Sequence, residues 1–439
     1  MGVRLSRAAV EALSQQLREP AWLRRLRLTA WERYQQLPLP SGATDEEWRR
    51  TDLSGLDLSA VGLLTDSPTV VGTSADRGFP PELLDVASSD GSVAGLSLES
   101  AAILTYRALA DELRSQGVLF TDLSTAAREH PALVQRYLTA IQPDDSKFEA
   151  LHKAAFGGGV FIYVPPQVQV ELPLRSAFWF GSFGALACPR TVLVADAGSR
   201  VLLVEEHLSP LDAGPEVASA LHEIHVEEGA QVVAVSLQRW GSRTHSFASH
   251  RARVRRNGRL VSLVGSLGGA VTKASVETAL MGPGAESRMY GIVFGRSSQH
   301  FDHYTLQDHL APHTTSNLLY KAALRDAARS VYAGLIHVRP DAVKADAYQA
   351  NRNLLLSADA RADSMPKLEI ETDDVRCTHG ATVGPVDDEQ VFYLMSRGLR
   401  RADAEQMIVE GFFEDVLAAL PADDVREWVR TRVLDAVRE

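Results

Sequence analysis

The sequence TVLVADAGSRVLLV, at residues 191–204, consists of an apolar run, a glycine turn and a second apolar run. The same unit recurs further along the chain, with turn glycines at Gly198, Gly229, Gly258 and Gly284, which are 31, 29 and 26 residues apart. Short runs rich in Val, Ile and Leu on both sides of a turn are typical of β-strands. The pattern predicts either a meander of hairpins or the stacked coils of a β-solenoid.

Periodicity alone does not separate a solenoid from a sandwich or barrel of hairpins, and both remain open on this ground. Length favours the solenoid, because roughly 220 residues of short strands is long for one sandwich, whereas a solenoid grows by adding coils. The end coils of a solenoid need covers, since every coil must stack on a neighbour. Helical segments on both sides of the strand-rich region are the candidates for these covers.

Helical patterns indeed precede and follow the strand-rich region. We expect loop-like structure at residues 60–98, where Ser, Gly, Asp and Pro are frequent. Ser146 and Glu149 have the spacing of a capping box, and the glycines from Gly157 should end the helix that they open. Apolar spacing and end signals predict further helices in the first 40 residues, around Leu98–Leu113, across Pro131–Ile141, from Asp387 to Gly398, and at Met407–Leu420 and Val425–Val437.

Composition and charge exclude several function classes. Apolar residues make up 45% of the 439 residues and charged residues 23%, as in an ordinary globular protein. The formal net charge of −11 argues against a nucleic-acid partner, which normally requires a basic face. The N-terminus has no apolar core of signal-peptide length, and the longest uncharged run, from Ala154 to Val170, is too short to span a membrane. With two cysteines and no disulfide framework, we expect a cytoplasmic protein.

A cysteine and a histidine with strand spacing lie in the stretch from Leu368 to Gly398, which includes DDVRCTHGATVG. If this stretch is a strand, Cys377 and His379 point to the same face, with β-carbons roughly 6 to 7 Å apart. That arrangement suits two ligands of one metal centre, or a thiol beside a base. The alternative is a buried structural pair, because free cysteine is among the most buried residue types. The other cysteine, Cys188, is apolar-flanked and is expected to be buried and inert.

Four histidines lie between residues 296 and 313, in RSSQHFDHYTLQDHLAPH. On a straight strand, His303 and His309 share a face but lie about 20 Å apart, and His300 faces the other way. One ion cannot bind these histidines together with His313, because zinc ligands lie about 2 Å from the metal. We therefore interpret the four as polar, outward-facing strand positions at the surface of the protein.

The sequence lacks the motifs of a self-contained energy-coupled or metal enzyme. No Gly-Lys pair occurs, so no phosphate-binding loop of the G-x-x-x-x-G-K type is present. C-x-x-C, H-E-x-x-H and G-x-S-x-G are also absent. Iron–sulfur clusters are usually held by four thiolates, with histidine replacing some of them in certain centres. A chain with two distant cysteines can handle a cluster only by sharing ligands with a partner.

Several stretches between Tyr290 and Gly398 carry a family resemblance. They read HFDHYTLQDHLAPHTTS, YKAALRDAARSVYAG, AYQANRNLLLSADA, MPKLEIETDDVRCTHGATVG and DEQVFYLMSRGL. Looser similarity covers GVLFTDL, KFEALHKAAFGGGVFIYVP and EEWRRTDLSGLDL. In these segments the chain resembles the SufB and SufD family of iron–sulfur cluster assembly components. Gly380 stands directly after His379, where SufB-like chains have an acidic residue, and AYQANRNLLLS has no cysteine, so the resemblance is to the SufD branch.

The resemblance implies a mainly β fold, a right-handed parallel β-helix core flanked by N-terminal and C-terminal α-helical regions. We expect an N-terminal helical region at 1–155, the β-helix at 156–384 and a C-terminal helical region at 385–439. The implied function is that of a non-enzymatic scaffold subunit in a SufBCD-type complex. Its implied partners are a SufB-like sister chain and the ABC ATPase SufC, with self-association through the β-helix as the alternative for the isolated chain.

The resemblance also implies roles for individual residues. His379, with Cys377 beside it, would contribute to a nascent iron–sulfur cluster shared transiently with the sister chain, and FADH2 is expected in the assembly. The ATPase would contact the region from Pro385 to about Leu420, and the expected partner-binding residues are Asp387, Phe392, Tyr393, Arg397 and Gly398. Two other functions are weighed against this one: a purely structural bracket for the ATPase, and a β-helix enzyme acting on polysaccharides.

Overall fold

The computed structural model describes residues 3–59, 61–63, 93–100, 103–138, 146–181, 185–212 and 214–438. Most of the described chain is arranged as two long, mainly parallel sheets that face each other, with helices before and after them. Strands nearly alternate between the two sheets along the chain, as in a solenoid. The predicted fold class, a mainly β protein with a parallel β-helix core and helical flanks, is confirmed.

The strands shorten toward the N-terminal end of the solenoid and reach ten residues in the later coils. In chain order they are β1 Val3–Arg4, β2 Gly62–Leu63, β3 Gly95–Ser100, β4 Ile103–Leu109, β5 Leu119–Asp122, β6 Val160–Val164, β7 Leu174–Trp179, β8 Leu186–Ala187, β9 Arg190–Ala195, β10 Arg200–Leu208, β11 Val217–Val226, β12 Gln231–Arg239, β13 His245–Val254, β14 Arg259–Ser266, β15 Val271–Leu280, β16 Glu286–Gly295, β17 His300–His309, β18 Thr315–Leu324, β19 Arg329–Val338, β20 Asp346–Leu355, β21 Arg361–Ile370 and β22 Arg376–Pro385.

The described α-helices range in length from five residues in Asp111–Ser115 to 17 residues in Arg401–Leu417. In chain order they are α1 Arg7–Gln16, α2 Ala21–Gln36, a 3-10 turn Glu46–Trp48, α3 Asp111–Ser115, α4 Leu123–Glu129, α5 Pro131–Leu138, α6 Lys147–Ala155, α7 Asp388–Ser396, α8 Arg401–Leu417 and α9 Asp423–Arg438. Within the described ranges, no helix is both long enough and apolar enough to cross a bilayer.

Sheet I has the order β22-β20-β18-β16-β14-β12-β10-β7-β3-β4, and sheet II the order β21-β19-β17-β15-β13-β11-β9-β6-β5. Each coil contributes one strand to each sheet, and stacked coils are in register over most of a strand. In sheet I, Arg200 pairs with Gln231 and Gln231 with Arg259, offsets of 31 and 28 residues. The predicted glycine spacing is therefore the length of one coil. Antiparallel pairing occurs at the first end, between β3 and β4 and between β5 and β6.

The N-terminal helices cover the outer face of sheet II. Helix α6 lies against β11, and its Phe148 ring stacks on Phe247 of β13 with centroids 3.5 Å apart. The buried Arg27 guanidinium of α2 donates to the backbone oxygens of Ala154 and Phe156 at 2.9 Å, so it ties α2 to the end of α6. Glu19 completes a buried ion pair with Arg27.

The C-terminal helices cover the outer face of sheet I. Val409, Phe413 and Val416 of α8 are buried in one hydrophobic cluster with residues of β10, β12, β14, β16 and β18. Helix α9 contributes Val429 and Val433 to the same cluster. The two helices were expected to cover the last strands of the solenoid, but they pack on the outer face of β10 to β18 instead. Each sheet thus has its own helical layer.

Three local predictions need correction or fall outside the described residues. The helix expected around Leu98–Leu113 is wrong, because the chain forms β3 and β4 there and only α3 follows. Helix α6 begins and ends as predicted, but the capping box is absent. Ser146 makes no capping hydrogen bond, and the Glu149 carboxylate accepts from Ser249 and Arg251. Most of the loop-like stretch at 60–98 lies outside the described residues.

The division into an N-terminal helical region at 1–155, a β-helix at 156–384 and a C-terminal helical region at 385–439 remains a prediction.

Candidate functional site

The predicted Cys377–His379 pair lies on β22, the last strand of sheet I. Cys377 is opposite Ala347 of β20 and His379 is opposite Gln349, so both occupy the register positions that face the interior in the coil before. Ala347 and Gln349 are buried, whereas His379 is exposed and Cys377 is half-buried. The difference arises because no further strand of the described chain continues sheet I beyond β22. The interior face of the solenoid is therefore open at this end, and the pair lies at the opening.

The environment of Cys377 does not favour its thiolate in the chain alone. Partial burial raises the pKa of Cys377, and the nearby Asp346 carboxylate raises it further. A thiolate would form here only with a cation close to the sulfur, such as a bound metal ion or a partner's basic group. Cysteine and histidine are soft-metal ligands, but two donors do not complete a site. The other cysteine, Cys188, is buried as predicted, and burial raises its pKa.

The α7 surface, which we define as Phe392, Tyr393, Met395 and Arg397, follows β22 directly. Asp387 caps the helix as predicted by accepting from the Glu389 amide at 2.9 Å, and Gly398, with a φ of 96°, ends it. Phe392 is 73% exposed and Tyr393 57%, while Met395 is also exposed. The Arg397 guanidinium lies 5.1 Å from the centre of the Tyr393 ring. Adjacent exposed aromatic side chains with an arginine are typical of protein interfaces.

Two of the four clustered histidines are buried, which contradicts the prediction that they face outward. His303 exchanges a hydrogen bond of 2.9 Å with the Ser266 hydroxyl inside the solenoid. His309 bonds the hydroxyls of Thr314 and Ser316 at 2.7 and 2.8 Å. Burial lowers the pKa of both imidazoles to about 4, so both are neutral at physiological pH. The prediction failed because the interior of these coils is partly polar and offers hydroxyl partners.

The other two histidines of that stretch lie nearer the surface. His300 exchanges a hydrogen bond of 3.1 Å with Thr51 of the N-terminal region, and His313 is exposed at a turn. In the described part of the chain, none of the four belongs to a group of side chains close enough to share one metal ion.

The sequence reasoning missed a buried cluster of Glu205, His207 and His222. Glu205 and His207 come from β10 and His222 from β11, and all three point into the same coil. The Glu205 Oε1 atom lies 2.9 Å from His207 Nε2 and 2.9 Å from His222 Nδ1. Burial by itself would raise the pKa of Glu205, but the two facing imidazoles hold that pKa well below its ordinary value. Among the described residues, it is the one group whose ligand atoms all lie within 4.8 Å of one another.

The signal for this cluster was present in the sequence. Glu205-x-His207 has the same i, i+2 spacing as Cys377-x-His379, and strand alternation puts both members on one face. His222 could be added only with knowledge of the coil, because 14 residues separate it from His207 and include the turn between two sheets.

Comparison with known proteins gives a consistent family assignment. The core-domain model for SufBD proteins of the SUF system for FeS cluster assembly matches residues 178–412, and the SufBD protein N-terminal region matches residues 101–175. The iron–sulfur cluster assembly protein SufD of Bacillus subtilis is 30% identical over 439 residues, covering 97% of each chain. A SufBD family protein of Staphylococcus saprophyticus is 30% identical over 427 residues, covering 95% of this chain and 90% of the relative.

A third relative, the SufBD family protein of Staphylococcus aureus strain USA300, is 29% identical over 427 residues, with 95% of this chain and 90% of the relative covered. The core-domain match includes the whole solenoid from β10 to β22 together with α7 and most of α8. Both the Cys377–His379 pair and the α7 surface lie inside it. The chain therefore belongs to the SufBD family of iron–sulfur cluster assembly proteins.

Proposed function

We propose that this chain is the SufD-like, non-ATPase subunit of a SufBCD-type scaffold. In this proposal it shares a nascent iron–sulfur cluster with a SufB-like chain at β22 and docks a SufC-like ATPase through the α7 surface. The observation that carries the proposal is that Cys377 and His379, two donors of an incomplete metal-ligand set, lie together on an exposed terminal strand. Iron and sulfide are the cargo of this site, and the chain acts on them as a scaffold without turning over a substrate.

An unpaired edge strand supports the choice of a second β-helix as partner. Within the described part of this chain, the backbone groups on the free side of β22 have no cross-strand partner, and a strand from another chain would satisfy them. Such pairing would also bring additional donors to the open interior face. Cys377 would lose its proton on binding iron, because a metal ligand must be deprotonated and the ion stabilises the thiolate.

The short connection between β22 and α7 supports a coupling between ATPase docking and the donor pair. Only two residues separate Pro385, the end of β22, from Asp388, the start of α7. The junction is held to the preceding coil by a hydrogen bond of 2.9 Å from the Val386 amide to the Leu355 oxygen. A movement of α7 caused by nucleotide-driven closure of the ATPase would therefore displace the end of β22. FADH2 in the assembly remains a prediction without a described site.

The decisive experiment is anaerobic co-expression of this chain with its SufB-like and SufC-like partners, followed by measurement of iron and acid-labile sulfide. His379→Ala should leave the complex assembled and remove most of the bound iron and sulfide. The matched control is His313→Asn, at an exposed turn with a φ of 57° that asparagine tolerates. An unchanged cluster yield in His379→Ala would refute the metal role and leave the chain as a structural bracket for the ATPase.

A second variant tests the docking surface separately. Phe392→Ser combined with Tyr393→Ser should remove the ATPase from the purified complex while the SufB-like chain is retained. Both side chains are mostly exposed, so the fold of the isolated chain should not change. Leu211→Ser, which also removes an exposed apolar side chain but at a distant loop, is the control. Full retention of the ATPase by the double variant would exclude the α7 surface as the docking site.

No observation favours the alternative function, an enzyme that acts on polysaccharides.

A further inference from the structure

The buried cluster of Glu205, His207 and His222 lies inside the solenoid, on strands far along the chain from β22. All three side chains have less than a tenth of their surface exposed. Both imidazole nitrogens that face the carboxylate approach the same oxygen, Oε1, at 2.9 Å. The second carboxylate oxygen, Oε2, accepts from the hydroxyl of Thr191 on β9. One oxygen and two ring nitrogens thus converge on one point of the interior.

A carboxylate at this depth requires a positive partner. Burying an ionised group without one costs several kcal/mol. The nearby guanidinium groups bond other carboxylates, since Arg190 pairs with Glu223 at 2.6 Å and Arg239 with Glu206 at 3.2 Å. Among the described residues, only imidazoles and one hydroxyl bond Glu205. A divalent cation held by the same atoms would supply the missing charge.

The Nδ1 atom of His222 faces the cluster, and the other ring nitrogen, Nε2, faces away from it. Nε2 is buried and has no hydrogen-bond partner among the described residues. Buried polar atoms normally have a partner, so an ordered water at Nε2 would hold the ring while Nδ1 acts as the ligand atom. The ring of His250 stacks on that of His222 with centroids 4.0 Å apart and planes inclined by 8°, so it fixes the plane of the His222 ring.

We propose that Glu205, His207 and His222 bind one divalent first-row transition-metal ion, with Fe2+ as the ion that suits them best. Two imidazoles and one carboxylate with open positions form the donor set of mononuclear non-haem Fe(II) sites, and the same donors also accept zinc. Thr191 would orient Glu205 by its hydrogen bond to the second carboxylate oxygen, and His250 would fix the plane of the His222 ring by stacking. Groups outside the ligand set commonly orient metal ligands in this way.

A cavity lies next to Trp240, a residue that also contacts the cluster. It has a volume of about 410 Å3 and is lined by Leu208, Trp240, Gly268 and Ala436, among others. The ring of Trp240 lines this cavity and also lies against His207, with ring centroids 5.8 Å apart. The site lies wholly within this chain, so it is independent of the shared cluster proposed at β22.

The test is metal binding to the full-length chain under anaerobic conditions, with Fe2+ and Zn2+ each added alone. We expect one tightly bound ion per chain by equilibrium dialysis and elemental analysis. Glu205→Gln and His222→Gln should weaken binding more than about 100-fold, since loss of an outer partner alone costs 10- to 100-fold. The matched controls, Glu206→Gln and His225→Gln, alter the neighbouring outward-facing residues of the same two strands and should bind as the wild type does.

A spectroscopic measurement on the unaltered ligand set keeps the proposal testable even if these variants fold poorly. X-ray absorption of the metal-loaded chain should show nitrogen and oxygen ligands without sulfur. The double variant Cys377→Ser and His379→Ala should retain the ion, so a failure at β22 would not affect this site. Sulfur in the ligand shell, loss of binding in that double variant, or no binding by the folded wild-type chain would each overturn the proposal. The last result would make the cluster a hydrogen-bonded core triad.

Discussion

The interior of the solenoid has no room for a methyl group at Gly291. A Cβ atom added there would overlap the ring of Tyr320, which lies opposite in the next coil and is itself packed against Tyr332 with ring centroids 5.5 Å apart. Gly291→Ala should therefore lower the free energy of unfolding by about 1–3 kcal/mol, the usual cost of overpacking a core. Chemical denaturation followed by circular dichroism measures this effect.

Gly384→Ala is the matched control, because a Cβ atom at Gly384 in β22 would meet nothing within 4 Å. Its effect should stay within about 0.5 kcal/mol, as for most surface substitutions. Equal destabilisation by the two alanines would mean that backbone freedom, and not the Tyr320 ring, explains the glycine at position 291.

Glu99 makes the stability of the fold depend on pH. Burial, followed by the charge of Asp122, raises the pKa of this carboxyl from 4.5 to about 8. Between these two values the unfolded chain releases the proton and the folded chain keeps it, so stability falls as the pH rises through this window. Glu99→Gln removes the proton equilibrium and should be more stable than the wild type at pH 8 by up to a few kcal/mol, at about 1.4 kcal/mol per pKa unit.

At pH 5 the same substitution should have a much smaller effect, because Glu99 is then protonated in the folded chain. Denaturant midpoints of both proteins at pH 5 and pH 8 test this dependence, and Glu228→Gln, at an exposed turn, serves as the control. A difference between Glu99→Gln and the wild type that does not change with pH would contradict the assignment.

At the same scale, strand alternation was enough to find one pair of candidate ligands and not the other. Cys377 and His379 attracted attention because cysteine is rare in this chain, and the structure places both on one strand and at one register face. Glu205 and His207 have the same spacing but common residue types. Their convergence with His222 depends on the path of one coil, which the sequence pattern left open.

At the scale of elements, a buried lysine of the solenoid binds helix α8. The buried Lys321 ammonium of β18 donates to the Phe412 oxygen and the Asp415 carboxylate of α8, both at 2.6 Å. Lys321→Met should destabilise the docking of α8 by about 1.5–3 kcal/mol, the usual worth of hydrogen bonds to charged groups. We expect faster hydrogen exchange and proteolysis in α8 and α9, with the solenoid still folded.

The control for this prediction is Arg352→Met. Arg352 also contacts Asp415, at 3.3 Å, but the pair is exposed and should contribute less than about 1 kcal/mol. If Lys321→Met leaves exchange in α8 unchanged, apolar burial of Val409, Phe413 and Val416 alone accounts for docking of the helix.

The elements that the sequence predicted well have strong end signals, and those that it missed do not. Asp387 and Gly398 mark the ends of α7, and the structure keeps both signals. The apolar residues from Leu98 to Leu113 have the spacing of a helix, but the structure pairs β3 with β7. Long-range sheet pairing thus prevails over local propensity. A window of local sequence contains no information about that pairing.

At the scale of the whole molecule, protection against hydrogen exchange should decrease toward the open end. The backbone of β21 and β22 is paired on one side only, whereas β14 and β16 are paired on both. Amides of the two end strands should exchange roughly tenfold faster or more than those of the central coils, because local opening costs less there. Exchange followed by mass spectrometry measures this gradient, and addition of the SufB-like chain proposed as the partner should abolish it. Uniform protection without a partner would contradict an open end.

The coil length could be predicted from the glycine spacing, but the choice between solenoid and hairpins could not. In both folds a turn glycine follows each short strand, and only the pairing partner differs. A hairpin pairs neighbouring strands, whereas here β10 pairs with β12 and β11 with β13. The periodicity of a single sequence does not contain the information on which strands become neighbours in space. The resemblance to a known family was therefore needed to predict a solenoid.

The free edge of β22 affects the tendency of this protein to self-associate when it is present in excess. A long, partly apolar edge is a template for uncontrolled self-association, which natural sheets usually prevent with charges, proline or a covering segment. Here the charge of Arg376 and the ring of Pro385 lie only at the two ends of the strand, and Val383 of β22 and Ile370 of β21 are exposed. In the scaffold proposed above, chains synthesised in excess over the SufB-like chain would keep this edge uncovered. Balanced synthesis of the two chains is therefore a physical consequence of the proposed assembly.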